Sequence, residues 1–564
     1  MNEPSNFDQQ SPTVNTRWSR DQVAQLLEQF ELSGLSLQAF ALANDVSAST
    51  LAYWQNRKNN IQGDPAWTEF FESPAGLDFL HRLQAASHFC FNQIGNNGIR
   101  LLCEFFQLCG LSPYLATSYG SQYAYARDMQ EVIIQFGNEE KERLGEQMPH
   151  KKIAVGEDET YHPEICMVAM DLVSNYILVE QYEAHRDALT WTEVVNAGID
   201  HLNVEIIQVT SDAAAGIRRH AQTELGVHHS PDLFHIQQDV CAGIFPGLYR
   251  KVREAEALQD ESLEEAQAWR EAQQQAAEKP PVGRPPNYEK YIAFHENEAR
   301  IFGEAKAHWE SRIDEAKQEV QHLGETYHPF NLQTGVARKE NSASKEINTC
   351  FDRLEKLVEE TELGERSEKR VRKARRQVKA MVATIAWFWL MVCYFLRELH
   401  LSRSERGAME RLIAACYLER VAQRTKTPEK RDAYTKLAEQ LRNEALARDG
   451  PLGNFSEERL EELRQTASRC ADLFQRSSSC VEGRNGQLSL RHHSFHHLTG
   501  NKLVCLTVLH NFWLKRADGT TAAERFFEAP PRDLFCYLIS HLPYPSRSAS
   551  PRNDRAASTS AQAA

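Results

Sequence analysis

The chain has 564 residues, of which 78 are acidic and 64 basic, giving a net charge of −14, and 41% are hydrophobic. That apolar content excludes a wholly disordered chain, and the length predicts about three or four domains. The acidity excludes a histone-like protein that coats nucleic acid by bulk charge, yet leaves room for a local basic face.

Residues 1–16, MNEPSNFDQQSPTVNT, are polar without an apolar signal region, and are expected to be disordered. The twelve scattered cysteines contain no CxxC pair, which speaks against a zinc ribbon or a disulfide framework and for a reducing cytosol. Residues 17–60 carry the pattern of a helix-turn-helix domain. A first helix, Arg20 to Leu32, places Val23, Leu26, Leu27 and Phe30 on one face, and Gly34 is a left-handed stop. Ser36 caps a second helix and Ser47 a third, Ala48 to Lys58. With Leu51 and Trp54 turned inward, Ser49, Thr50, Tyr53 and Arg57 are the candidates for reaching a DNA groove. Residues 61–150 predict a helical accessory domain rich in aromatic residues.

At about 151 the periodicity changes. KIAVGED, ICMVAMDLV and NYILVEQYEA are three β-type runs, and TWTEVVNAGIDHL is an amphipathic helix. VEIIQVTSD is a fourth strand, AAAGIRRHAQTEL a helix, and GVHHSPDLFH a fifth extended element entering a helix. The order is β-β-β-α-β-α-β-α with a mixed sheet over 151–240, so the whole chain reads as multidomain α+β. From 241 to 470 the strands vanish in favour of an all-helical insertion, whose charged stretches 250–278 and 297–323 read as helical hairpins or coiled-coil arms. Within it, AMVATIAWFWLMVCYFL (380–396) has no charge and approaches the short limit for a membrane span. Because it continues into RELHLSRSERGAMERLIAACYLERV, the expectation is a soluble helix, buried on nearly all sides, and no membrane. Upstream on the same helix, Arg372, Arg375 and Arg376 offer a basic face to DNA, the alternative being a solvated helix face. Residues 471–543 return to mixed apolar helices, and 544–564 are expected to form a disordered tail.

Three carboxylates stand where chemistry is possible. Asp158 lies at the end of the first strand, Asp212 at the end of the fourth, and Glu482 early in a helix after Ser477-Ser478-Ser479. Carboxylates at neighbouring strand ends can converge at one sheet edge, and a packed helix can bring a third. Such hard oxygen ligands suit Mg²⁺ or Mn²⁺. Glu157 and Glu159 flank Asp158, but strand alternation turns both to the other face. Taken singly, each carboxylate also reads as a turn residue, helix cap or solvated side chain. Asp232 and His235 lie one helical turn apart. From Gly483 to Ala517 there is no acidic residue, so Arg484, Arg491 and Lys502 are candidates for phosphate contact.

This order of elements, with Asp158, Asp212 and Glu482 in those places, resembles a DDE transposase with a ribonuclease H-like core. The long helical insertion before the final Glu is similar to that of the Mutator and hAT superfamilies. Their Cys- or Asp-x-x-His signature has its counterpart in Asp232-Leu-Phe-His235. Asn485 supplies the ExxN spacing common in bacterial insertion-sequence transposases, and LHNFWLKRADGTTAAERFF resembles their C-terminal segment. The resemblance implies metal-dependent cleavage of element ends and strand transfer into target DNA. It implies two Mg²⁺ (or Mn²⁺) ions held by Asp158, Asp212 and Glu482, in 151–240 and 471–543, with Asp232, His235 and Asn485 in support. Partners would be the element's terminal repeats, target DNA and further copies of the chain, as a homodimer or higher oligomer, at the bacterial nucleoid in the cytoplasm. The rival expectations are a transposase-derived DNA-binding regulator without catalysis, and a nuclease or resolvase of the same fold.

Overall fold

The structure is a computed structural model that describes residues 20–56, 64–162, 164–212, 214–279, 282–495 and 498–545, with Trp18 and Lys58. Arg57 and the segments 1–16 and 546–564 lie outside the described residues. The chain divides into two units, Met1–Met148 with Leu488–Ala564, and Pro149–Gln487.

Three helices open the first unit: α1 (Arg20–Ser33), α2 (Leu37–Ala43) and α3 (Ala48–Asn56). Their core is Val23, Leu26, Leu27, Phe40, Ala41 and Leu51, with Trp18 and Trp54 edge to face at 5.9 Å. Gly34 does adopt φ +62°, and the turn between α2 and α3 uses Asp45 at φ 52°, a conformation that Asp tolerates better than most residues. The Ser36 and Ser47 hydroxyls accept from Ala39 N and Thr50 N as caps. Ser49 and Tyr53 are exposed on α3, and Thr50 is half-buried. Helices α4 (Pro65–Glu72), α5 (Pro74–Ser87), α6 (Ile99–Leu108) and α7 (Tyr119–Gln147) follow.

The second unit is built on a five-stranded sheet of order β3-β2-β1-β4-β5. Its strands are β1 (Lys151–His162), β2 (Glu164–Asp171), β3 (Ile177–Glu183), β4 (Val204–Ser211) and β5 (His228–Pro231). The first three form an antiparallel meander, while β4 and β5 run parallel to β1. Parallel pairing needs crossovers, supplied by α8 (Ala188–Ile199) before β4 and by α9 (Ala215–Arg219) with a π-helical turn, His220–Glu224, before β5. The long buried runs of β2 and β4 show a sheet covered on both faces.

Helix α10 (Leu233–Glu278) starts directly after β5, so the insertion begins within the helix that carries His235 rather than at 241. It pairs antiparallel with α11 (Tyr288–Thr326): Gln237 donates to Val320 O, Glu256 meets Lys306 and Arg270 meets Glu296. This confirms a helical hairpin over the two charged stretches. Helices α12 (Glu340–Glu360), α13 (Glu365–Arg375), α14 (Val378–Glu398), α15 (Arg403–Arg424), α16 (Pro428–Ala445) and α17 (Glu457–Asp472) complete the insertion around one core.

The basic stretch runs on into the apolar run as one helical path, with α13 and α14 separated only by Arg376 and Gln377, both right-handed helical. One expectation for this region is corrected: α14 is not covered on nearly all sides. Met381, Ile385, Phe388 and Val392 are buried, but Leu390 and Tyr394 are 67% and 47% exposed. By length and composition the helix is apolar enough to cross a membrane, yet one face serves as an ordinary core face. The three successive rings split their roles: Phe388 enters the core, Trp387 stacks on His228, and Trp389 Nε1 donates to Arg338 O.

Helix α18 (Ser479–Phe495) crosses the boundary between the units, after Gln487. The expected second part of the core, 471–543, is therefore divided. Residues 471–487 belong with the sheet, whereas α19 (Gly500–Phe512) and α21 (Leu534–His541) pack on α7. Short α20 (Ala522–Phe527) lies between them and opens on a capping box from Thr521 and Glu524.

Candidate functional site

Strand β1 sorts its three acidic residues by alternation. Glu157 is fully buried, with Oε1 3.4 Å from His220 Nε2. Glu159 receives Arg186 Nη1 and Trp191 Nε1, also among the crossover elements. Asp158 points to the opposite face, where α18 lies. Gly156 makes that close approach possible, since a Cβ there would meet Leu172 Cδ2 at 2.6 Å and Val481 Cγ2 at 3.0 Å. Gly156→Val is expected to overpack the contact of β1 with α18 and cost about 1–3 kcal/mol of stability. Chemical denaturation checks this, and an unchanged midpoint would show that the close approach is not needed.

Two helix starts are bound together by one buried side chain. Asp232 caps α10 through Oδ1, which accepts from Phe234 N at 2.7 Å. Its Oδ2 accepts from Ser478 N at 3.2 Å and from the Ser478 hydroxyl, at the entrance to α18. His235 then follows on the first turn of α10, and Glu482 on the first turn of α18. Further along α18, Arg484 forms a bidentate pair with Glu180 of β3 at 2.7 and 2.6 Å, both side chains being buried. Asn485 Nδ2 donates to Asp158 Oδ2 at 2.7 Å.

Asp158, His235 and Glu482 thus each offer a ligand atom, all within 4.8 Å of one another. His235 Nε2 lies 3.0 Å from Glu482 Oε1. Burial, and then the charge of Glu482, push the Asp158 carboxyl up to about 7. The contact with Glu482 raises His235 to about 9, and His235 in turn lowers Glu482. Two carboxylates and an imidazole, facing one point and partly desolvated, are a donor set that fits one divalent cation. Beside this group a cleft is lined by Asp212, Asp232, His235, Asp239, Lys373 and Gln377. Lys373 Nζ pairs with Asp239 at 2.8 Å.

The sequence-derived candidates fare unequally. Asp158 and Glu482 come together, and His235, Asp232 and Asn485 surround them. Asp212 is outside the tight group: it is exposed at the end of β4, and its Oδ1 accepts from Ala214 N at 2.8 Å. Among the described residues the tight group is Asp158, His235 and Glu482; Asp212 stands outside it, but lines the adjoining cleft and its charge reaches Asp158. Three candidates for phosphate contact are also corrected. Arg484 is spent on Glu180. Arg491 is tied to the Ile94 carbonyl and Asn96, and Lys502 is buried with Nζ 2.6 Å from Gln93 Oε1. Arg375 is held by Asp352 and Glu355 across α12, and Arg372 pairs with Glu368, while Arg376 is exposed. Sequence reasoning passed over Asp239 and Lys373. Asp232, His235 and Asp239 stand at helical spacing in DLFHIQQD, and that shared face was the available clue.

Residues 408–556 match a family of unknown function (DUF6399), a segment that includes Glu482 and Asn485 but none of the strands. No curated protein and no solved structure matches the chain.

Proposed function

We propose that the chain is a DNA transposase that cuts element ends and joins them to target DNA at the centre formed by Asp158 and Glu482. The observation that carries this reading is convergence. Asp158 and Asn485 are 327 residues apart in the chain and hydrogen-bonded, with Glu482 and His235 at the same point. The β-β-β-α-β-α-β order, the mixed sheet and the helical insertion before Glu482 agree with the ribonuclease H-like core that the sequence resemblance implies. The α2–α3 pair with its tight turn agrees with a helix-turn-helix.

Divalent ions, when bound, would neutralise charge at phosphorus and activate the attacking oxygen. The chain's own part is positional. Asp158 and Glu482 face the scissile phosphodiester from β1 and α18, and Asn485 fixes the Asp158 carboxylate by its hydrogen bond. Lys373, held by Asp239 in the adjoining cleft, meets the phosphate backbone beside that point. Water attacks phosphorus, the P–O bond to the 3′-oxygen breaks, and a 3′-hydroxyl and 5′-phosphate result. That hydroxyl then attacks a target phosphodiester in line: a new P–O bond forms, the target's P–O bond to its 3′-oxygen breaks, and the proton given up by the attacking hydroxyl is balanced by the one the freed target 3′-hydroxyl takes up.

The test is incubation of the full chain with DNA carrying the element's ends and Mg²⁺ or Mn²⁺. Cleavage together with joining of a pre-cut end supports the reading; cutting without joining points to a nuclease or resolvase, and binding without either to a regulator. Deleting residues 1–60 is expected to remove sequence-specific footprints on end DNA while sparing metal-dependent nicking, each base contact being worth about 1–3 kcal/mol of discrimination. Unchanged footprints would refute the role of α3. In the same assay, reversing charge at Arg372 and Arg376 is expected to weaken DNA binding and flatten its salt dependence.

A further inference from the structure

We propose that His235 is a direct nitrogen ligand of the metal centre, and that the centre therefore selects a first-row transition dication such as Mn²⁺ over Mg²⁺. The inference rests on reading the group as a divalent-metal site. It goes further in naming the ligand and the class of ion.

The donor set carries it. The atoms that lie within 4.8 Å of one another are two carboxylate oxygens and one imidazole nitrogen. Asp212, the further carboxylate nearby, stands outside this group, with Oδ1 accepting from Ala214 N. Mg²⁺ takes oxygen ligands in strict octahedral geometry and retains its waters, whereas imidazole favours transition ions. His235 is also placed rather than left to roam: it sits on the first turn of α10, whose start Asp232 fixes to the start of α18. A second observation stands beside it: Asn485 is more than nine-tenths buried and donates to Asp158 Oδ2, while its Oδ1 has no hydrogen-bond partner among the described residues.

The experiment needs no DNA. Metal-free full-length chain is titrated with Mn²⁺ and followed by electron paramagnetic resonance, and the loaded protein is examined for ¹⁴N modulation of a bound imidazole. The expected result is one Mn²⁺ bound with nitrogen coupling, displaced by Mg²⁺ only at large excess. His235→Gln should abolish the coupling and weaken Mn²⁺ binding by at least the roughly 10–100-fold that loss of an outer-shell partner already costs. His235→Asp should retain binding but bring the affinities for Mn²⁺ and Mg²⁺ together. Wild-type protein that binds Mn²⁺ without nitrogen coupling, or a His235→Gln variant of equal affinity, would overturn the proposal and leave His235 as an ion-pair partner of Glu482. Since wild type alone supplies the coupling signal, misfolding of a variant does not blunt the test. Nitrogen-coupled Mn²⁺ in a chain that never cuts DNA would sink the transposase reading and leave this one standing. Cleavage with no coupling would do the reverse.

Discussion

Asp158→Asn is expected, on the proposed transposase reading, to eliminate metal-dependent cleavage while leaving the fold and DNA binding nearly intact. The substitution keeps shape and the capacity to accept from Asn485 Nδ2, but removes the charge that two facing carboxylates present to a cation. A loss of about 1000-fold or more corresponds to roughly 4 kcal/mol in the barrier. The fold should gain slightly. Asp158 is raised to about 7 by burial and by Glu482, so without bound metal its ionised form is already disfavoured above its ordinary range. A carboxyl whose folded value is raised disfavours folding as pH rises from the ordinary carboxylate range towards 7, because the unfolded state loses its proton first. Replacement by a neutral amide removes that penalty. Metal-free wild type should therefore lose stability relative to Asp158→Asn between about pH 4 and 7. Parallel thermal melts across that range check the sign, and parallel curves would contradict it. Cleavage persisting in this variant would remove Asp158 from the chemistry altogether.

The second large effect is structural. Arg484→Met takes from the buried Glu180 carboxylate its bidentate partner, and breaking a buried ion pair from one side costs about 3–5 kcal/mol. Because α18 carries Glu482 two residues before Arg484, the proposed cleavage should fall with stability. Adding Glu180→Met should recover most of the loss, since a well-packed apolar pair can replace a buried ion pair. Chemical denaturation of the wild type and the two variants decides this. If Arg484→Met were as stable as wild type, the pair would have no structural weight, and the phosphate-contact expectation would regain its standing.

That expectation illustrates what a sequence conceals. An Arg close after Glu482, in a stretch free of acidic residues, reads as solvated and DNA-facing. On the helix, however, Val481, Arg484, Asn485 and Leu488 follow the i, i+3, i+4, i+7 spacing of a buried face, and all four are buried. The matching clue was Glu180, a lone carboxylate inside the apolar run of NYILVEQYEA. Each charge looked ordinary without its partner, some 300 residues away. The strand order and the positions of Asp158 and Glu482 were legible because alternation and element order are local properties. The orientation of Asp212 was not. Whether a carboxylate after a strand turns to its neighbours or onto a following backbone amide depends on side-chain torsion, which periodicity does not record. The coverage of α14 failed differently. Three bulky rings in succession imply burial all round only if every ring is buried, and Trp387 and Trp389 are satisfied by partial contacts instead.

The double grip of Asp232 on α10 and α18 has a further consequence for how such a chain can change. The contact between Asp232 and Ser478 spans 246 residues, so the whole insertion leaves and re-enters at one clasp. Closing a flexible loop costs only about 0.6 kcal/mol more for each doubling of its length. The tip of the α10–α11 hairpin can therefore lengthen, shorten or change sequence over many generations at little thermodynamic penalty. The clasp itself has no such freedom, because one altered side chain there loosens both the helix that carries His235 and the helix that carries Glu482. Genetic drift should accordingly concentrate in the hairpin tip, and scanning deletions there should leave the proposed metal site and its affinity for Mn²⁺ unchanged.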